Sequence, residues 1–174
     1  MIKKIVLISL ILFASLPAMA QQREKEEIIT PVVQLEKRQY QTRTYQAEDK
    51  ALVMKAILNT LQDNGFIIYN ANYLLGFIYG SKDFDTGNSE TDISKEFGLS
   101  KSRLNLNGIK VATIETTTNV TEFDKSLRVR INFKRKLLNT YGNAQFIDDI
   151  QEEEFYTQFF EQLDKALFLL KQKV

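Results

Sequence analysis

The chain has 174 residues, carries 23 Lys and Arg against 22 Asp and Glu, and contains no His, Cys or Trp. Those absences exclude Ser-His-Asp and Cys-His nucleophilic arrangements, disulfides, and zinc sites built from Cys and His. A net charge of +1 gives no electrostatic ground for nucleic acid or an anionic membrane as partner.

Residues 1–20, MIKKIVLISLILFASLPAMA, have the three parts of a secretory signal peptide. Lys3 and Lys4 make the basic region, Ile5 to Leu16 the apolar core, and Ala18-Met19-Ala20 the small-residue cleavage site. The apolar run falls short of the roughly 20 residues that a membrane-spanning helix needs. No later stretch is apolar enough to span. The expected mature chain starts at Gln21. It loses two lysines, so 21 basic residues face 22 acidic ones. No Cys follows the cleavage site, which excludes lipid attachment of the bacterial lipoprotein type. The sequence therefore predicts an exported protein, in the periplasm and at most peripherally associated with the outer membrane.

Residues 21–43 are polar and charged and read as a flexible leader, ending in a short extended piece near Val32 to Leu35. Residues 44–174 read as a single α+β domain. In AEDKALVMKAILNTLQDNGF, Met54, Ile57, Leu58 and Leu61 recur at helical spacing, and Asn64-Gly65 supplies a left-handed stop. FIIYNA and LLGFIYGSK then read as a β-hairpin turning around Asn70 to Tyr73. Both of its faces are apolar, which predicts a central place in the sheet or a second covered face. Gly76 and Gly80, four apart, read as packing and curvature devices on one strand face.

Residues 83–101 form a polar stretch that reads as a long loop, with a short helix near Thr91 to Phe97. Asn107-Gly108 is a hairpin signal. SLRVRINFKRK alternates: Leu127, Val129, Ile131 and Phe133 point one way, Arg128, Arg130, Asn132 and Lys134 the other. The segment from Asp148 onward reads as the last helix. Phe155, Phe159, Leu163, Leu167 and Leu170 form its stripe, and Asp148, Asp149 and Glu152 to Glu154 crowd its start. The predicted order is α-β-β-loop-β-β-β-α. That is an antiparallel sheet of four to five strands with two helices packed on one face.

No motif carries catalysis. Asp83 and Asp85 have the spacing of the first calcium ligands of an EF-hand, but Asn88 stands where Gly is needed and Ser94 where Glu is needed. The acidic run at 152–154 fans around a helix instead of converging on a substrate. No phosphate loop is present. The expectation is a chain with no enzymatic activity, no cofactor and no metal. The candidate binding surface is the polar sheet face carrying Arg128, Arg130 and Lys134, with Glu115 on the strand before it and Tyr69 and Tyr79 beside it. Aromatic rings next to arginines on an open sheet suit a protein partner or an anionic ligand. The competing reading is a solvated face with cross-strand ion pairs.

The stretch LVMKAILNTLQDNGFIIYNANYLLGFIYGSK resembles a family of uncharacterised bacterial envelope proteins, often lipoproteins. Their pattern is a helix ending LQDxGF, a strand, then LGxIxAxK. RVRINFKRKLLNTYGN and IDDIQEEEFYTQFFEQLDKALFLLK are similar to that family's closing strand and helix. The resemblance runs from about Arg43 to Lys171, and its motifs are structural. This chain lacks the lipoprotein cysteine. The helix–strand–strand opening is also similar to the helix-grip domains of the lipoprotein accessory subunit of the outer-membrane β-barrel assembly machine. The absence of His and Cys, the lack of converging carboxylates and the small exported domain point to a non-catalytic accessory domain of the envelope that binds another envelope protein. The alternative is a carrier of a small ligand or lipid, with an apolar cavity between the sheet and the C-terminal helix.

Overall fold

The computed structural model describes residues 31–46, 49–85 and 109–172. The signal peptide, most of the 83–101 stretch and the Asn107-Gly108 hairpin lie outside the described residues. The described elements run in the order α1 (Pro31–Tyr40), β1 (Thr42–Gln46), α2 (Lys50–Asp63), β2 (Ile67–Asn72), β3 (Phe77–Asp85), β4 (Ile109–Phe123), β5 (Ser126–Asn139), β6 (Ala144–Asp149) and α3 (Glu153–Gln172). They form an α+β fold, a six-stranded antiparallel sheet with three helices.

The strand order is β1-β5-β4-β3-β2, and β6 also pairs with β5. β4 runs beside β5 along almost its whole length, from Ile109↔Asn139 to Phe123↔Ser126. β1 takes the other edge of β5 at 126–130, and β6 takes it at 134–138. Between them, Ile131 N–H donates to the Gln41 carbonyl at 3.0 Å, and Ile150 N–H donates to the Phe133 carbonyl at 2.9 Å. The outer edge of β5 is thus covered.

The helices close one face. Leu127, Val129, Ile131, Phe133 and Leu137 of β5 and Ala112, Ile114 and Val120 of β4 are buried under Val53, Ile57 and Leu61 of α2 and Leu163 and Leu167 of α3. Phe133 is the aromatic centre. The rings of Phe66, Phe155, Tyr156 and Phe159 lie 5.0 to 5.9 Å from it. Burying a side chain of this size contributes about 2–3 kcal/mol, and edge-on ring contacts add to that.

α2 stops where its sequence predicts and starts at Lys50. The Asp49 carboxylate caps it by accepting from Ala51 N–H at 2.6 Å. Gly65 leaves it at φ +83°, and Phe66 N–H bonds back to the Leu61 carbonyl.

Four expectations need correction. Pro31 to Arg43 is ordered as α1 and the start of β1, not a loose leader. Its polar composition hides the reason, which is tertiary. Tyr40 stacks on Tyr156 with ring centres 5.2 Å apart, and Gln41, itself buried, donates to the Tyr156 hydroxyl at 3.2 Å. Arg43 and Tyr45 then both bond Asp164 on α3, at 2.6 and 2.9 Å. Burial beside that carboxylate holds the Tyr45 phenol well above the usual tyrosine range.

Second, Asp148 and Asp149 lie in β6 and not in the helix, which begins at Glu153. Asp148 is held there by Arg135. Third, the apolar hairpin does not occupy the sheet centre. β2 is the edge strand, with Ile67 and Tyr69 exposed. Fourth, Gly76 is a turn residue and does not share a strand face with Gly80. It sits at φ +63°, and a Cβ there would lie 2.0 Å from the Val120 carbonyl oxygen. Gly80 passes the bulge between Ile68 and Asn70, where a Cβ would meet the Ile67 carbonyl at 2.7 Å.

Tyr156 ties three elements together. Its hydroxyl donates to the Ile150 carbonyl at 2.8 Å and accepts from Gln41 and from Phe133 N–H. Burial pushes its phenol up to about 12 from an ordinary 10.0. The unfolded chain releases this proton near pH 10 while the folded form keeps it. The associated stability is therefore whole below pH 10 and lost as the pH rises to about 12. Tyr156→Phe is expected to lower stability at neutral pH by about 1–3 kcal/mol and to flatten the alkaline loss. Urea unfolding followed from pH 8 to 12 checks both effects.

Candidate functional site

The alternation that buries one face of the sheet leaves the other to solvent. On this open face β5 presents Arg128, Arg130, Asn132, Lys134 and Lys136, and β4 presents Thr113, Glu115, Thr117, Asn119 and Thr121. Lys134 faces Glu115, Asn132 faces Thr117, Arg130 faces Asn119 and Arg128 faces Thr121. β3 adds Phe77 opposite Asn119 and Tyr79 opposite Thr117. Tyr69 stands at the bulge of β2, its ring 5.8 Å from that of Tyr79, and its hydroxyl accepts from Ser81 Oγ at 3.2 Å. All six sequence-predicted site residues therefore share one face.

They do not form one cluster. Lys136 Nζ lies 2.6 Å from Glu115 Oε1, and Lys134 Nζ lies 3.8 Å from Asp149 Oδ1. The Tyr79 hydroxyl reaches Glu115 only at 3.5 Å. This half is a net of cross-strand ion pairs of the kind that contributes little to stability. Lys136 and Asp149 belong to it although sequence reasoning missed them. Asp149 was hidden by being read as helix, and Lys136 continues the same i+2 series that marked Arg128 to Lys134.

The other half differs. Among the described residues neither Arg128 nor Arg130 has a carboxylate partner. Arg128 lays its guanidinium over the Phe123 ring at 5.1 Å. Arg130 has its Nε buried with no hydrogen-bond acceptor. Among the described residues the other two buried polar side-chain atoms left without a partner, Thr116 Oγ1 and Thr118 Oγ1, are on the helix-covered face. A depression of about 350 Å³ lies beside Arg130, bounded by Thr117, Asn132, Lys134, Glu115 and Asp149.

Arg135 shows the opposite solution. It points into the helix side, 2 % exposed, where it meets Asp148 through Nε at 2.8 Å and Nη2 at 2.7 Å, and Glu152 through Nη1 at 3.3 Å. Burial opposes its charge, but the two carboxylates outweigh it and hold the guanidinium above its ordinary range.

A second concavity, about 280 Å³, opens between the sheet, the end of α2 and the first half of α3. Phe66, Ile114, Phe133, Phe155 and Phe159 wall it, and Asn64, Gln158, Gln162 and Lys82 form its rim. Asn64 and Gln162 bond across the gap at 2.5 Å. Among the described residues no three His, Cys, Asp or Glu side chains gather to hold a metal ion, and no helix is long and apolar enough to cross a membrane.

No protein-family model matches the chain, and no curated protein matches it. Several solved structures are distantly similar in fold, two of them as follows. One is a DUF4468 family protein from Bacteroides ovatus, 12 % identical, with a TM-score of 0.35 over 72 % of this chain and 84 % of that one. The other is a TBP-like protein from Parabacteroides distasonis, 15 % identical, with a TM-score of 0.32 over 75 % of this chain and 90 % of that one. At these scores neither likeness carries a functional argument.

The two arginines should separate cleanly in stability. Arg135→Gln removes the partner of two carboxylates at a buried position and is expected to cost about 2–4 kcal/mol. Arg130→Gln removes an unpaired group and should stay within about 0.5 kcal/mol of the parent. Urea unfolding midpoints measure both, and an equal loss in the two variants would make Arg130 a structural residue.

Proposed function

We propose that this chain is a non-catalytic accessory domain of the cell envelope that binds a protein partner on its open sheet face. The observation that carries this reading is the pairing pattern of that face. Among the described residues Arg128 and Arg130 lack acidic partners, and half-buried Phe77 and Tyr79 stand two strands away. Aromatic and arginine side chains are the ones enriched where proteins meet. The signal-like residues 1–20 support export to the periplasm, and the envelope-family resemblance of Arg43 to Lys171 supports an accessory role. A photo-reactive amino acid at exposed Thr117 should give discrete protein adducts in intact cells. The same group at exposed Lys165 of α3 should not. Absence of adducts at Thr117 would refute the reading.

The cavity against Phe133 supports a second reading, a carrier of a small apolar molecule. Its volume lies at the lower end of ligand pockets. At roughly 30 Å³ per water-sized group it takes on the order of nine heavy atoms. Native mass spectrometry of protein purified from its own host should then show a bound mass of that size. A bare polypeptide mass would dismiss this role.

A further inference from the structure

The geometry points to the chemistry of the partner: an extended segment with acidic residues at every second position, laid along β4. This rests on the open sheet face being the contact surface, and it adds what that surface recognises.

Three neighbouring strands set the shape. β4 contributes the short side chains Thr117, Asn119 and Thr121. On one side of it β5 raises Arg128 and Arg130, and on the other β3 raises Phe77 and Tyr79. Strands lie about 4.8 Å apart, so the two walls stand on the order of 10 Å apart, the width of one extended chain.

Charge then selects the occupant. Lys134 and Lys136 already have Asp149 and Glu115, so their end of the trough is neutralised internally. At the other end, among the described residues, Arg130 keeps a buried Nε–H with no acceptor, and Arg128 has an aromatic ring but no anion. A guanidinium takes a carboxylate through two parallel hydrogen bonds, and among the described residues neither Arg128 nor Arg130 has one. Arg128 and Arg130 are two apart on one strand, so their Cα atoms are about 6.8 Å apart along the sheet. Alternate residues of an extended peptide have the same spacing. A Glu-x-Glu pattern therefore meets both arginines in register.

The test follows the Arg130 Nε–H resonance by NMR while the purified protein is titrated with a blocked peptide alternating glutamate and threonine. A peptide alternating glutamine and threonine is the control. Inorganic phosphate at equal ionic strength is a third arm. The glutamate peptide should shift that resonance saturably, and the glutamine peptide and phosphate should not. Arg130→Gln should weaken peptide binding by about tenfold or more with an unchanged unfolding midpoint. Arg130→Lys should also weaken it, because a lysine keeps the charge but not the fork. An unmoved resonance, an equal response to phosphate, or unchanged affinity in Arg130→Gln would overturn the inference. Cross-linked adducts at Thr117 that survive Arg130→Gln would also overturn it, while leaving the sheet face as the contact surface.

Discussion

Strand β5 holds the rest of the molecule in place. It is paired along both edges, by β4 on one side and by β1 and β6 on the other. Its side chains alternate, so Leu127, Val129, Ile131 and Phe133 build the core while Arg128, Arg130, Asn132 and Lys134 build the open face. A slip of one residue would exchange the two sets and bury a row of cations. Core and candidate site are therefore two sides of one constraint. Any change that loosens the packing around Phe133 also moves the surface behind it.

Arg135 is the point where β5 breaks its own pattern, and the surrounding structure answers it. A guanidinium on the helix side must be paired, because an uncompensated buried charge is far more costly than an exposed one. Asp148 comes from β6 and Glu152 from the residues just before α3, so the pairing ties the last strand to the last helix. Arg130, on the solvent side, has no such answer among the described residues. Two arginines on one strand thus have opposite consequences. One is satisfied and binds elements together; the other is left over and marks the surface.

Much of the fold was legible in the sequence, for reasons that differ by element. α2 and α3 repeat apolar residues at the helical period, and the Asn64-Gly65 stop is local chemistry. The alternation from Leu127 to Lys134 named both faces of β5 and put Arg128, Arg130 and Lys134 on one of them; the cross-strand register adds Glu115, Tyr79 and Tyr69. α1 and β1 were missed because they have no apolar pattern of their own; Tyr40, Gln41, Arg43 and Tyr45 are held by Tyr156 and Asp164 on α3. β6 was missed because most of it is exposed and its carboxylates resemble a helix start. The edge position of β2 was missed because strand order is not written in any one strand.

The sequence by itself determined which residues turn inward along α2, β5 and α3 and where α2 ends. These follow from period and from backbone sterics within a few residues. It also excluded the chemistries that need His or Cys. Only the tertiary structure decided which charges are neutralised. Whether Lys134 or Arg130 finds a carboxylate depends on which strand lies beside it. Asp149 reaches Lys134 because β6 pairs with that end of β5, while Arg130 faces Thr42 and Asn119, which carry no charge. Coulombic pairing acts between strands distant in the chain, so the unpaired arginine appears only when the sheet is assembled.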